Sequence, residues 1–273
     1  MKSRQNLLES LRDNSIIKSF PITNNFQCML QCSKYPICSM AIVDISVCKI
    51  YIKNECKDSN IIYSSTSTIY AKDSDDNINQ YLIHYWPFNG NYDDVISNAN
   101  LFNGQNDALV TDRFDRPSSS LYLNYGSLQG PSGYYIYGDF TLTTWVKVYA
   151  LESCRRFLML KSQIDTIITF SLTLNSSQPY FFHKNGNQVA NMSLVIGKWQ
   201  HLAWTNQGST HSIYVDGMLA YNGPTTPITV KNRTNVYFGT DQAHFVRAEF
   251  DDIKIFNRSL SQIEIARSSL IYL

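Results

Sequence analysis

Glu249, Phe250, Asp251 and Asp252 are consecutive, and in an extended strand Glu249 and Asp251 share one face. Two carboxyl groups can hydrolyse a glycosidic bond when one acts as acid and the other as base or nucleophile, about 5–9.5 Å apart. A second acidic pair, Asp93 and Asp94, follows an aromatic segment far upstream. Calcium, a hard cation that takes oxygen ligands from irregular loops, would fit Asp93, Asp94, Asp251 and Asp252 if the first and last strands of a sandwich met. The alternative is that these aspartates cap turns and hold an edge through hydrogen bonds. Saccharide or protein contact calls for rings and amides in loops: Tyr134, Tyr135 and Tyr137 are candidates, as are His183, Asn185 and Asn187. The competing reading packs the tyrosines in strands and makes Asn185-Gly186 a turn.

Other chemistries leave no trace. No G-x-S-x-G elbow, H-E-x-x-H pair, P-loop or dinucleotide fingerprint occurs, and the five histidines are too dispersed for zinc. A formal net charge of +1 over 273 residues gives no electrostatic argument for nucleic acid, and no apolar run reaches a membrane span.

The elements that would position these groups are mostly strands. WQHLAWTNQGSTHSIYVDG, residues 199–217, reads as two strands joined by a polar turn at Asn206 to Ser209, with Asp216-Gly217 suited to the positive-φ positions of a hairpin. Ile213 and Val215 alternate with Ser212, Tyr214 and Asp216, which predicts one buried face. Further strands are predicted at residues 81–88, 134–137, 140–148, 156–161, 166–174, 180–184, 189–195, 236–239 and 250–256, with an irregular Asn/Gly-rich span before residue 134. Many short strands with turn punctuation indicate a sandwich. One short helix is predicted from Ser261, where S-Q-I-E supplies a capping box through Glu264.

The N-terminal part has a different composition. Residues 1–19 are a lead-in segment with an amphipathic helix as the alternative up to Lys18, and a helix is predicted from Asn24 to Pro36, carrying Cys28 and Cys32 on one face. Strands follow at 39–43, 47–52 and 66–71. Five of six cysteines fall within Cys28 to Cys56, a density expected of a stapled module in an oxidising compartment. The polar stretch 73–80 is a linker, and 81–273 forms the larger domain. The first residues lack the apolar core of a secretory signal, of about 7–15 residues. Extracellular localisation is nonetheless the expectation, from the cysteines and from N-x-S/T acceptors at Asn175, Asn191, Asn232 and Asn257.

Residues 20–72 resemble a PAN/apple-type module, through CMLQCSKYPIC and CKIYI. That resemblance implies Cys28 paired with Cys48 and Cys32 with Cys38. No earlier cysteine stands as a partner for Cys56, which leaves Cys56 and Cys154 to bridge each other or stay free. Residues 81–273 resemble a laminin-G-like, concanavalin A-like sandwich through HYWPFNG, FTLTTWVK, WQHLAWT, HSIYVDGMLA and FDDIKIFNRSLSQIEI. The resemblance implies a mainly β fold: a concanavalin A-like jelly-roll β-sandwich with a small N-terminal disulfide-stapled α+β module. Its calcium-bearing members strengthen the calcium expectation. Its hydrolase members carry E-x-D-x-E, a pattern absent here. The expected function is therefore a non-catalytic extracellular recognition or adhesion module that binds glycan or an extracellular protein, without nucleic acid or membrane insertion. A divergent glycoside hydrolase and a structural spacer in an extracellular assembly are the alternatives.

Overall fold

The computed structural model describes residues 16–21, 38–44, 47–52, 67–71, 78–149, 155–162, 167–172, 177–183 and 186–269. The chain divides into two compact units, Met1–Asn77 with Leu270–Leu273, and Ile78–Ser269.

In the first unit, β1 (Ile16–Pro21), β2 (Cys38–Asp44), β3 (Val47–Ile52) and β4 (Ser67–Ala71) form an antiparallel sheet in the order β1-β3-β2-β4. Ile16–Pro21 is thus a strand where the sequence suggested a lead-in or helix end, because its apolar residues find a ladder partner in β3. The helix predicted from Asn24 lies outside the described residues, as do Cys28, Cys32, Cys56 and Cys154.

The second unit contains β5 (Leu82–Trp86), β6 (Phe102–Val110), β7 (Ser120–Gly130), β8 (Phe140–Val148), β9 (Arg155–Lys161), β10 (Ile167–Leu172), β11 (Pro179–His183), β12 (Gly186–Val189), β13 (Trp199–Gln207), β14 (Thr210–Val215), β15 (Met218–Pro224), β16 (Asn235–Phe238), β17 (Val246–Phe256) and helix α1 (Gln262–Ser268). Hydrogen bonding runs β12-β11-β10-β9-β16-β7-β17-β8-β13-β14-β15, with β5 added to β17 and β6 to β7. This ladder folds over on itself. Rings from strands that are not ladder neighbours meet edge to face: Phe140 of β8 against Phe170 of β10, Phe157 of β9 against Trp204 of β13, and Trp86 of β5 against Phe238 of β16. The result is a two-layer β-sandwich whose core is lined by fully buried aromatic side chains. Each contributes about 1.5–3 kcal/mol of burial.

The hairpin at Asp216-Gly217 forms as the residue types require, with φ of 50° and 76° at its two loop positions between β14 and β15. The preceding turn is tighter than the span Asn206 to Ser209, since Gln207 already pairs with Thr210. The alternation in β14 gave only one face of the burial. Ile213 and Val215 enter the main core, but Tyr214 is also buried, in a second cluster with Ala203, Phe256, Leu260 and Ile265 beneath α1. That helix starts on a capping box: the Glu264 N–H donates to Ser261 Oγ at 3.3 Å, and the Ser261 N–H donates to Glu264 at 2.7 Å.

Three local expectations are corrected. The span before residue 134 contains two long strands, β6 and β7. Residues 134–137 are a loop, because Tyr135 and Ile136 are both buried, an adjacency that a strand does not allow on one face. Residues 190–195 likewise leave the sheet after β12.

Candidate functional site

Two irregularities in β17 and its surroundings create the polar features of the sandwich. At Asp252, φ is 50° and the register against β8 slips by one residue. This bulge turns two successive carboxylates to the same outer side of the sheet, where a regular strand would send them to opposite faces. Both meet one guanidinium. Arg113 donates from Nη1 to Asp251 and from Nη2 to Asp252, the latter at 2.6 Å, while its carbon lies 4.4 Å from the Phe114 ring and 4.8 Å from Trp145. Tyr85 donates its hydroxyl proton to Asp252. Burial first, and then the adjacent Asp252 charge, push the Asp251 carboxyl up to about 7 against the pull of Arg113. For Asp252 burial acts upward too, but Lys254, the Tyr85 hydrogen bond and Arg113 together hold it below the usual carboxylate range.

Asp94 is sequestered separately. Its carboxylate accepts the N–H groups of Tyr85 and Ile96, each at 3.0 Å, and the Ser97 hydroxyl, with His84 Nδ1 at 2.7 Å. Burial would raise this carboxyl, and these bonds hold it well below its ordinary value. Asp93 is itself capped, its backbone N–H donating to the Asn91 side-chain oxygen at 3.1 Å. The four aspartates therefore do not converge: Asp251 and Asp252 already face a guanidinium and Asp94 is filled with protein donors. This donor set does not fit calcium, and among the described residues no group of three or more His, Cys, Asp or Glu is placed to hold a metal.

The carboxylates that suggested hydrolysis are also engaged. Glu249 accepts from Lys147 Nζ at 3.2 Å and from the Tyr149 hydroxyl, and Asp251 lies sealed beneath Arg113. Ser97, His84 and Asp94 make a serine–histidine–aspartate set without the geometry of a relay. Ser97 and Asp94 both address Nδ1, whereas a relay joins nucleophile and carboxylate through opposite ring nitrogens.

The other nitrogen of His84 has a structural task. Nε2 lies 3.2 Å from the carbonyl oxygen of Tyr134, and the ring stacks between Trp86 and Tyr135, at 5.3 and 4.6 Å. Tyr135 is fully buried and donates its hydroxyl to Pro131 O at 2.8 Å, so it is an anchor rather than a contact surface. Ile136 is buried beside it. Tyr134 and Tyr137 are thereby turned out on either side, 50% and 49% exposed, with ring centroids 6.2 Å apart and planes tilted by 30°. The Asp94–Ser97 turn, hung from the same histidine, exposes Val95 and Ile96 at 57% and 48%.

Of the remaining candidates, His183 is buried in β11, Asn187 is exposed in β12 and accepts from the Tyr180 hydroxyl at 2.9 Å, and Asn185 lies outside the described residues. His84 was missed in the sequence. Its signal is a polar residue at the inward position of an aromatic strand, two before Trp86, which demands a buried partner.

This two-layer sandwich with a loop-borne aromatic pair has recognisable relatives. The chain belongs to the Laminin_G_3 family of the concanavalin A-like lectin/glucanases superfamily, whose profile matches residues 124–266. Among solved structures it is similar to domain 4 of AbnA, an extracellular arabinanase from Geobacillus stearothermophilus solved with arabinotriose: TM-score 0.53 and 15% identity, over 68% of this chain and 96% of that one. It is also similar to the binding domain of Paraclostridial Mosquitocidal Protein 1, with TM-score 0.58 and 16% identity, over 71% of this chain and 52% of that one. Botulinum neurotoxin type C, in a structure whose subject is its interaction with two ganglioside molecules, gives TM-score 0.52 and 16% identity, over 72% and 53%. Comparison by sequence with curated proteins finds no match.

Proposed function

We propose that this protein is a non-catalytic, extracellular glycan-recognition protein whose contact platform is the ring pair Tyr134 and Tyr137. The observation that carries this reading is the pairing itself: two half-exposed rings 6.2 Å apart, on a loop whose backbone is clamped from below by His84, Tyr135 and Ile136. Pre-ordered rings lose little conformational entropy on binding, and their apolar faces stack on sugar rings. Two of the similar structures, the arabinanase domain and the neurotoxin, are named with saccharide ligands, which supports a glycan over other partners. The engagement of Glu249 and Asp251 with basic groups supports binding over hydrolysis. The first unit enters the proposal as a disulfide-stapled PAN/apple-like module that adds a second surface. A protein-adhesion reading is favoured by Val95 and Ile96, since adjacent exposed aliphatic side chains supply apolar area for a protein contact.

The test is a glycan array with the full chain, followed by calorimetry on the strongest saccharide with Tyr134→Ala and Tyr137→Ala. Each substitution is expected to weaken binding about tenfold, equivalent to ~1.4 kcal/mol, and to leave the melting temperature in place because both rings sit half in water. Unaltered affinity in the double variant would refute the platform, and an array without binding would refute the glycan reading.

A further inference from the structure

Across the outer face of β7, β17, β8 and β13, aromatic and cationic side chains alternate. Lys147 Nζ lies 5.9 Å from the Trp199 ring and 5.2 Å from Tyr149. The Arg247 guanidinium lies 5.8 Å from Tyr149, whose ring packs edge-on to Tyr122 at 5.8 Å. Strand register fixes this order: Glu249 stands opposite Tyr122 on β7 and Lys147 on β8, and Lys147 stands opposite Trp199 on β13. Both rows project outward because Ala248 and Phe250 take the inward positions of β17.

The two cations differ in what they have left to offer. Lys147 is compensated by Glu249 at 3.2 Å. Arg247 donates Nε–H to the Tyr122 hydroxyl at 3.1 Å and forms no ion pair among the described residues: the carboxylate next to it on the same row, Glu249, is taken by Lys147 and the Tyr149 hydroxyl, and the two terminal nitrogens of Arg247 meet no partner there. Tyr125, turned out at 39% exposure where β7 bulges with φ of 52°, stands near the same guanidinium. The arrangement is a planar fork of donors, held at Nε so that its open edge points away from Tyr122, among three tyrosine rings. A guanidinium edge of this kind pairs two parallel N–H groups with a carboxylate, while adjacent rings take the apolar face of the group that bears it.

We propose that Arg247, with Tyr122, Tyr149 and Tyr125, is a second saccharide subsite that selects sugars bearing a carboxylate. The inference rests on the saccharide reading but names a separate place. Arg247 and Ile255, the residue paired with His84, are eight residues apart on β17, about 26 Å of strand. The subsite thus lies far from the Tyr134–Tyr137 platform and would give the domain an acidic-over-neutral preference that the platform alone has no means to provide.

The experiment titrates the full chain with glucuronate, glucose and inorganic sulfate while the arginine Nε–Hε resonances are followed by NMR, with Arg247→Lys identifying the relevant signal. Glucuronate is expected to move the Arg247 resonance and glucose to leave it in place. In calorimetry, an oligosaccharide ending in glucuronic acid is expected to bind at least tenfold more tightly than its glucose-ended counterpart. Arg247→Ala should abolish that ratio, and Arg247→Lys should reduce it, because a point charge does not reproduce the fork. Tyr134→Ala should weaken both ligands alike and leave the ratio unchanged, which separates failure of the platform from failure of the subsite. An unmoved resonance, equal affinities for the two oligosaccharides, or a ratio that survives Arg247→Ala would overturn the proposal. Sulfate shifting Arg247 at the same concentrations as glucuronate would also overturn it, by reducing the site to an unselective anion contact.

Discussion

His211 offers the sharpest test of how the sandwich interior was built. It is fully buried in β14, its ring stacked 3.8 Å from Phe181 across the two layers, and neither ring nitrogen finds a hydrogen-bond partner among the described residues. Burial, with a smaller contribution from His183, pushes its pKa from 6.5 down to about 3. A folded value below the unfolded one means that the neutral ring's stability is fully present above pH 6.5 and is lost as pH falls toward 3. At pH 5 the unfolded chain gains about 1.5 logarithmic units of proton binding that the folded one forgoes, or about 2 kcal/mol relative to pH 7.5. His211→Phe removes this liability and keeps the stack on Phe181. Between pH 7.5 and 5 the melting temperature of the wild type should fall about 4–8 °C further than that of the variant, for a domain of about 190 residues. The comparison between the two proteins matters, because other groups also titrate. Asp251, whose folded value is raised, acts with the opposite sign, losing stability as pH rises toward 7, and His201, lowered by burial, acts with the same sign as His211. Both cancel in the difference. Equal acid losses in wild type and variant, measured by calorimetric scans at matched ionic strength, would refute the argument.

Two further outcomes follow from the acidic corner of β17. Arg113→Ala should destabilise the second unit by about 3–5 kcal/mol in a denaturant titration, since it strands Asp251 and Asp252 without their guanidinium, and Asp251→Asn in the same background should recover part of that loss. Millimolar calcium or a chelator should leave the melting temperature unchanged to within about 1 °C, whereas a specific ion would raise it with concentration; a rise of several degrees would show that Arg113 yields its place.

Strand β8 was legible in the sequence to the residue, because FTLTTWVKV keeps one phase and presents Phe140, Leu142, Val146 and Val148 inward, with Thr144 the single polar residue in that row. The Asp216-Gly217 turn and the Ser261 capping box were legible for a local reason: each depends only on residues within a few positions of itself. Strand β6 was invisible because none of its nine residues is buried, so FNGQNDALV carries no apolar alternation at all. Strand β7 hid for another reason. Leu121 and Leu123 point inward, but the bulge at Tyr125 shifts the phase, and inward positions resume at Gly126 and Leu128, an odd step away. The same slip at Asp252 made two adjacent aspartates outward neighbours, and their counter-ion, Arg113, lies 138 residues from Asp251, beyond any local pattern. The tyrosines at 134–137 were visible as candidates, but which ring faces water depended on His84, a contact 50 residues away.

The position of β17 also bears on how the domain is made. Its inner edge pairs with β7 before the bulge and with β5 after it, while β8 holds its other edge throughout. During synthesis, Trp86 must wait 167 residues for its partner Ile253. At ribosomal speeds that interval is roughly 10–30 s. For all of it the ladder edge of β5 has no native cover, and from its own synthesis onward the edge of β8 that β17 will take is open as well, so the two layers close only when β17 emerges.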